Sequence, residues 1–147
     1  MIFSSSEALE TFGARLATVA RVGDVIALSG ELGAGKTALA RGIAHGLGFA
    51  GEVSSPTFPI VQVYDEPGMR LPLWHVDLYR IENQFSIDEL GLDEALEHAA
   101  LVVEWPERLG ARLWAHSLHL MIQADPGGAR ALTARVPPAW EGRWPVR

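Results

Sequence analysis

Apolar residues recur along this chain in two periods, and the periods alternate. In "SSSEALETFGARLATVA" a serine N-cap precedes Leu9, Phe12, Leu16 and Val19 at helical spacing, which predicts a first helix. "DVIALSG" is a short apolar run that ends in glycine, the pattern of a strand buried on both faces. "KTALARGIAHGLG" places Leu39, Ile43 and Leu47 on one stripe and closes at Gly48. Gly42 and Gly46 within it cost about 1 kcal/mol each in helix propensity, so they are expected to let this helix approach the sheet closely. "PIVQVYD" and "LPLWHVDLYR", separated by the turn "DEPGMR", predict a hairpin. "SIDELGLDEALEHA" reads as one helix or two short ones, and "ALVVEWP" as another buried strand stopped by Pro106. "SLHLMIQAD" and "RALTARV" flank "PGG" and predict a second, C-terminal hairpin. The alternation predicts an α/β fold in a single domain, 1–147, with a mixed sheet flanked by helices. Only "PPAWEGRWPVR", residues 137–147, reads as a loosely ordered tail.

Composition narrows the function classes. The net charge of -6 argues against a protein that grips nucleic acid by itself, because phosphate contacts need a basic surface. If RNA is the ultimate substrate, a partner holds it. No apolar run approaches the roughly 20 residues that span a bilayer, and "MIFSSSEALE" has no basic segment before an apolar stretch, so a cytoplasmic location without membrane association is expected. The absence of cysteine excludes disulfides, thiolate catalysis and cysteine-ligated metal.

The chemistry starts at "GELGAGKT", Gly30 to Thr37, which fits G-x-x-x-x-G-K-[ST] in full between a predicted buried strand and a predicted helix. In such a P-loop the backbone N–H groups around Gly33, Gly35, Lys36 and Thr37 converge on phosphates, helped by the positive helix end. Lys36 is the only lysine in the chain; the other eleven basic side chains are arginine. A compact ammonium on a flexible stem reaches between phosphates where a planar guanidinium does not fit. Thr37 supplies the hydroxyl that ligates Mg²⁺. A glycine-rich turn without ligand is the bland alternative, and the motif, its context and the single lysine all weigh against it.

Acids come next. "ALVVEW" is an apolar strand followed by a carboxylate, the Walker B layout, which puts Glu104 beside the loop as a metal acid; a solvent-facing strand end is the alternative. In "LWHVDLYR", His75, Asp77 and Tyr79 share one strand face, and Asp77 near the strand end suits the orientation of an attacking water. His75 is more readily a hydrogen-bonded structural residue than a metal ligand. Thr57 in "VSSPTF" lies 20 positions after Thr37 in a proline-stiffened loop. It reads equally as a switch threonine that senses the nucleotide or as a capping residue of an ordinary turn.

"GELGAGKT", "SSPTF", "HVDLYR", "ELGLDEAL" and "LVVEWPER", in this order in so short a chain, resemble the TsaE (YjeE) family, the small bacterial P-loop ATPase of tRNA threonylcarbamoyladenosine biosynthesis. The similarity runs from about Phe3 to Pro106. It implies a P-loop NTPase fold, ATP at Gly33, Ala34, Gly35, Lys36, Thr37 and Ala38, Mg²⁺ held by Thr37 and Glu104, and functional roles for Thr57, Asp77 and Trp105. It also implies weak ATPase activity alone and work with the two other subunits of the bacterial threonylcarbamoyl-transferase complex, which modifies adenosine 37 of tRNA. Ser6, Phe12 and Trp105 are candidate adenine contacts, and Arg80 is a candidate arginine finger in cis. Two other classes are weighed. A small P-loop kinase needs a lid of clustered arginines, and here they are scattered. A GTPase needs an Asn-Lys-x-Asp reader, for which no second lysine exists. A nucleotide-gated adaptor without significant turnover shares every residue named.

Overall fold

A computed structural model of the chain describes residues 1–31, 33–53, 60–81 and 84–144; Thr57 and the rest of 54–59 lie outside the described residues. Its elements are β1 (Ile2–Phe3), α1 (Ser6–Val19), β2 (Val25–Ser29), α2 (Lys36–Gly46), β3 (Val61–Tyr64), β4 (Leu73–Asp77), α3 (Gln84–Asp88), α4 (Leu92–Ala95), β5 (Ala100–Glu104), β6 (Leu118–Ala124) and β7 (Arg130–Arg135). Short 3₁₀ segments follow β5 at Pro106–Arg112 and β7 at Pro138–Trp140.

The strands form one seven-stranded sheet in the order β1-β7-β6-β2-β5-β4-β3. The four inner strands β6, β2, β5 and β4 run parallel. The edges are antiparallel: β3 folds back on β4, β7 on β6, and β1 joins β7. Both hairpins expected from the turn sequences are therefore present. The second one extends the main sheet, because β6 pairs directly with β2. Strand β1, two residues long, was not expected.

Alternating residues of the inner strands feed two cores. Ile26, Leu28, Val102, Leu118 and Leu120 pack under α1 and α2 together with Leu9, Leu16, Leu39 and Ile43. Val25, Val76, Leu101 and Val103 face the other way, against Leu92, Ala95 and Leu109. The acidic helical segment is two short helices, separated where Gly91 takes φ 69°.

Two expectations are corrected. The glycines of α2 serve a close approach to α1, not to the sheet. A Cβ on Gly42 would collide with the Glu10 carbonyl, one on Gly46 would lie 2.7 Å from the Ala17 Cβ, and one on Gly13 would lie 2.5 Å from the Leu39 carbonyl oxygen. Helix backbones so close exclude any side chain between them. The segment 138–144, read as part of a loose tail, is packed: Trp140 is fully buried and Trp144 lies edge-on to Phe12 with centroids 5.8 Å apart. Arg143 clamps Asp24 through both nitrogens at 2.7 and 3.1 Å, and caps the Val19 and Ala139 carbonyls at 2.9 and 2.8 Å. Enough apolar and paired polar contact is gained there to offset the entropy of ordering the segment.

Candidate active site

The glycine loop connects the end of β2 to the start of α2, at the carboxyl edge of the parallel strands, where ligands of open α/β sheets bind. Gly35 is the N-cap of α2 at φ 118°, and no side chain caps the helix. A Cβ on Gly35 would lie 2.6 Å from Leu9 Cδ1, so both the backbone angle and the space call for glycine. The uncapped amides of the first turn are free to meet an anion. Around a Cβ placed on Gly33 there is nothing within 4 Å, which keeps that side of the loop open.

Lys36 opens α2 and is only 4% exposed. Its ammonium donates to the Gly30 carbonyl and lies 4.0 Å from the centroid of the Trp105 ring, a cation–π contact. Burial pushes its pKa below the ordinary lysine value, while the carboxylates of Glu104, Asp77 and Glu107 act against the shift. Trp105 follows β5 in the left-handed region at φ 59°, the one non-glycine residue with positive φ among the described residues. Its indole also meets the Tyr79 ring, centroids 4.9 Å apart.

Asp77 and Glu104 end neighbouring parallel strands and are register partners. Both are buried. The backbone N–H of Tyr79 donates to Asp77 Oδ1 at 2.9 Å, and His75 Nε2 lies 2.6 Å from Glu104 Oε2. The solvent-facing alternative for Glu104 is thus excluded, and His75 is hydrogen-bonded to a candidate metal acid. Behind the start of the loop, Ser29 Oγ donates to Glu107 Oε1 at 2.5 Å and meets His119 Nε2 at 2.6 Å. Burial, then the Arg135 guanidinium, lowers the pKa of His119, against the pull of Glu107.

Part of this set lines a cavity of about 550 Å³. Ser6, Gly33, Gly35, Lys36, Thr37, Ala38, Asp77, Arg80, Glu104 and Trp105 all reach it. Phe12 and Ala34 do not. Phe12 is in the core, 5.1 Å from the Phe3 ring, which corrects its reading as an adenine contact, and Ala34 is buried behind the loop. Sequence reasoning missed Arg41, Tyr79 and Arg130 on the cavity wall. Arg41 stands one helical turn after Thr37, a spacing that carries the signal. Tyr79 shares the strand face of Asp77, and that alternation is its signal. Arg130 has no local signal; it arrives because β7 lies beside β6, and its Nε is 3.5 Å from a Cβ placed on Gly35.

The donor set suits a hard cation shared with phosphate: one hydroxyl and two carboxylates. Among the described residues no three His, Cys, Asp or Glu side chains gather into a protein cage. Mg²⁺ commonly uses one or two carboxylates and completes its shell with phosphate oxygens and water. The residues present therefore fit a nucleotide-bound Mg²⁺.

Known proteins match most of this chain. The family model for the threonylcarbamoyl adenosine biosynthesis protein TsaE matches residues 3–132. The tRNA threonylcarbamoyladenosine biosynthesis protein TsaE of Streptomyces coelicolor is 44% identical over 120 residues, covering 81% of each chain. That of Bacillus subtilis is 40% identical over 118 residues, covering 80% of this chain and 72% of its own. The crystal structure of Bacillus subtilis YdiB superposes with a TM-score of 0.77 at 31% identity, over 91% of this chain and 82% of that one. The loop, the paired acids and the matches lead to one assignment: the chain belongs to the TsaE family, whose role is the threonylcarbamoyladenosine modification of tRNA.

Proposed function

We propose that the protein is a P-loop ATPase that binds ATP with Mg²⁺ in the 550 Å³ cavity and hydrolyses it in support of threonylcarbamoyl modification of adenosine 37 in tRNA. The observation that carries the reading is the convergence of Lys36, Thr37, Asp77 and Glu104, from three separate stretches of sequence, on one cavity. The loop amides and Lys36 hold the phosphates, Lys36 leaving the Gly30 carbonyl to do so. Thr37 and Glu104 hold the metal, which when bound neutralises charge that develops on the phosphates. Asp77, fixed at the end of a strand, orients the attacking water. Trp105 and Ser6 contribute to the nucleoside side of the pocket, and Thr57 reports which nucleotide is bound.

The acidic surface, with net charge -6, supports a division of labour in the cytoplasm in which the two other subunits of the threonylcarbamoyl-transferase complex hold the tRNA. Turnover is expected to be weak alone and stimulated by those partners. The test is ATP binding and turnover of Asp77→Ala, with and without the partner subunits. Binding is expected to persist within about threefold of the unmutated protein, with hydrolysis reduced at least about 100-fold. Full hydrolysis in the variant would remove Asp77 from the chemistry. Absence of turnover in the unmutated protein even with its partners would favour a nucleotide-gated adaptor.

A further inference from the structure

Glu104 is 2% exposed, and a buried carboxylate needs its oxygens occupied. One of them is met by His75 Nε2 at 2.6 Å. The two residues stand on adjacent strands, but they are not register partners: His75 pairs with Val102 and Asp77 with Glu104. His75 thus reaches diagonally along the sheet, from below Asp77, to the carboxylate. The imidazole is itself fully buried, and its Nδ1 has no hydrogen-bond partner among the described residues. In its surroundings are Tyr64, with ring centroids 6.5 Å apart, and the apolar core under α2. An aliphatic side chain would fill this place without leaving an orphaned nitrogen, so the imidazole is costly as packing alone. What it supplies that a leucine does not is one N–H directed at Glu104.

We propose that His75 is a positioning residue for the metal carboxylate: its Nε2–H pins one oxygen of Glu104 and so leaves the other turned toward the nucleotide cavity. The role rests on the reading of Glu104 as the metal acid. Partners of this kind fix the orientation of a ligating group, and their loss typically weakens metal affinity about 10- to 100-fold.

The test is equilibrium binding of an ATP analogue with a non-hydrolysable β–γ link, with and without Mg²⁺, to the full chain and to three variants, each checked by thermal unfolding. His75→Gln carries an N–H at the reach of Nε2; His75→Asn carries the same group one bond short; His75→Leu carries none. The inference expects binding without Mg²⁺ to stay within about twofold in every variant that folds, and Mg²⁺ to tighten it in the unmutated protein and in His75→Gln. In His75→Asn and His75→Leu the tightening by Mg²⁺ falls at least about tenfold. Unchanged Mg²⁺ dependence in His75→Asn, or an equal loss in His75→Gln, overturns the positioning role while leaving the site intact. No Mg²⁺ dependence in the unmutated protein overturns the metal reading of Glu104 and this inference with it. If His75→Leu does not fold, the two amide variants decide; if neither of those folds, His75 is core structure and the inference is wrong.

Discussion

Lys36 and Trp105 are held face to face, with the ammonium 4.0 Å from the ring centroid and its second contact to the Gly30 carbonyl. The arrangement shelters a charge from water at a cost to folding, since burial outweighs the neighbouring carboxylates and lowers the lysine pKa. Lys36→Met should therefore weaken nucleotide binding at least about tenfold and yet raise Tm, by roughly 2 °C or more at neutral pH. The sign follows from linkage. Below the lowered folded-state pKa both states carry the proton and the cost is complete. As pH rises through that value toward 10.5 the folded state sheds its proton first and the cost shrinks. The Tm advantage of the variant should narrow over the same range; parallel calorimetry and nucleotide titration check both parts.

The contact between α1 and α2 has no room for a methyl group. Gly42→Ala should destabilise the fold by about 2 kcal/mol or more, because the Cβ meets backbone that cannot turn aside. Gly13→Ala, on the facing helix, should do the same, and the double variant should fall short of the sum of the two, since one separation of the helices relieves both clashes. Urea unfolding of the three variants measures this.

Arg143 closes the C-terminal segment onto Asp24. Arg143→Met leaves a buried carboxylate with, among the described residues, only the Arg21 N–H as partner, and should cost about 3 kcal/mol. Asp24→Asn introduced with it should recover part of that loss. A chain ending at Pro137, which lacks the fully buried Trp140 as well, should not fold stably at 37 °C. Denaturant melts and limited proteolysis distinguish the three cases.

His119 holds its proton less readily in the folded state than its ordinary value of 6.5 implies. Its contribution to stability is therefore complete above pH 6.5 and is lost as pH falls from there through the folded-state value, where the unfolded chain takes up a proton that the folded one refuses. His119→Gln should flatten that part of the stability–pH curve relative to the unmutated protein. Curves that stay parallel between pH 7 and 5 would show that burial and Arg135 exert no net effect on the imidazole.

What was legible in the sequence was local. The glycine loop, its flanking strand and helix, the two hairpins and the acids at the ends of β4 and β5 are each carried by residues close together in the chain. What was not legible depends on which strands become neighbours. Arg130 enters the cavity only because β7 is placed next to β6, and no pattern around Arg130 encodes that order. The partner of His75 is 29 residues away on an adjacent strand, so its hydrogen bond could be expected in kind but not assigned. Gly42 and Gly46 signalled a close approach, read from the sequence as one to the sheet; the partner is instead a helix that shares their side of the sheet, which no local pattern specifies. The C-terminal segment looked loose because its proline, glycine and tryptophan content forms no periodic element. Its order comes from Asp24 and from the end of α1, more than a hundred positions earlier.

The glycine contact between α1 and α2 also has a mechanical meaning. Where bare backbone meets bare backbone there are no long side chains to swivel, and the two helices behave as a single brace under the loop. Ser6 and Lys36 stand at the same end of that brace, so one wall of the nucleotide cleft is stiff. The opposite wall is made of strand ends and of Trp105, perched in a left-handed turn before a segment that reverses again at Gly110. The helix pair therefore sets the spacing of Ser6 and Lys36 on that wall as one unit, with Trp105 packed across the cleft against Lys36.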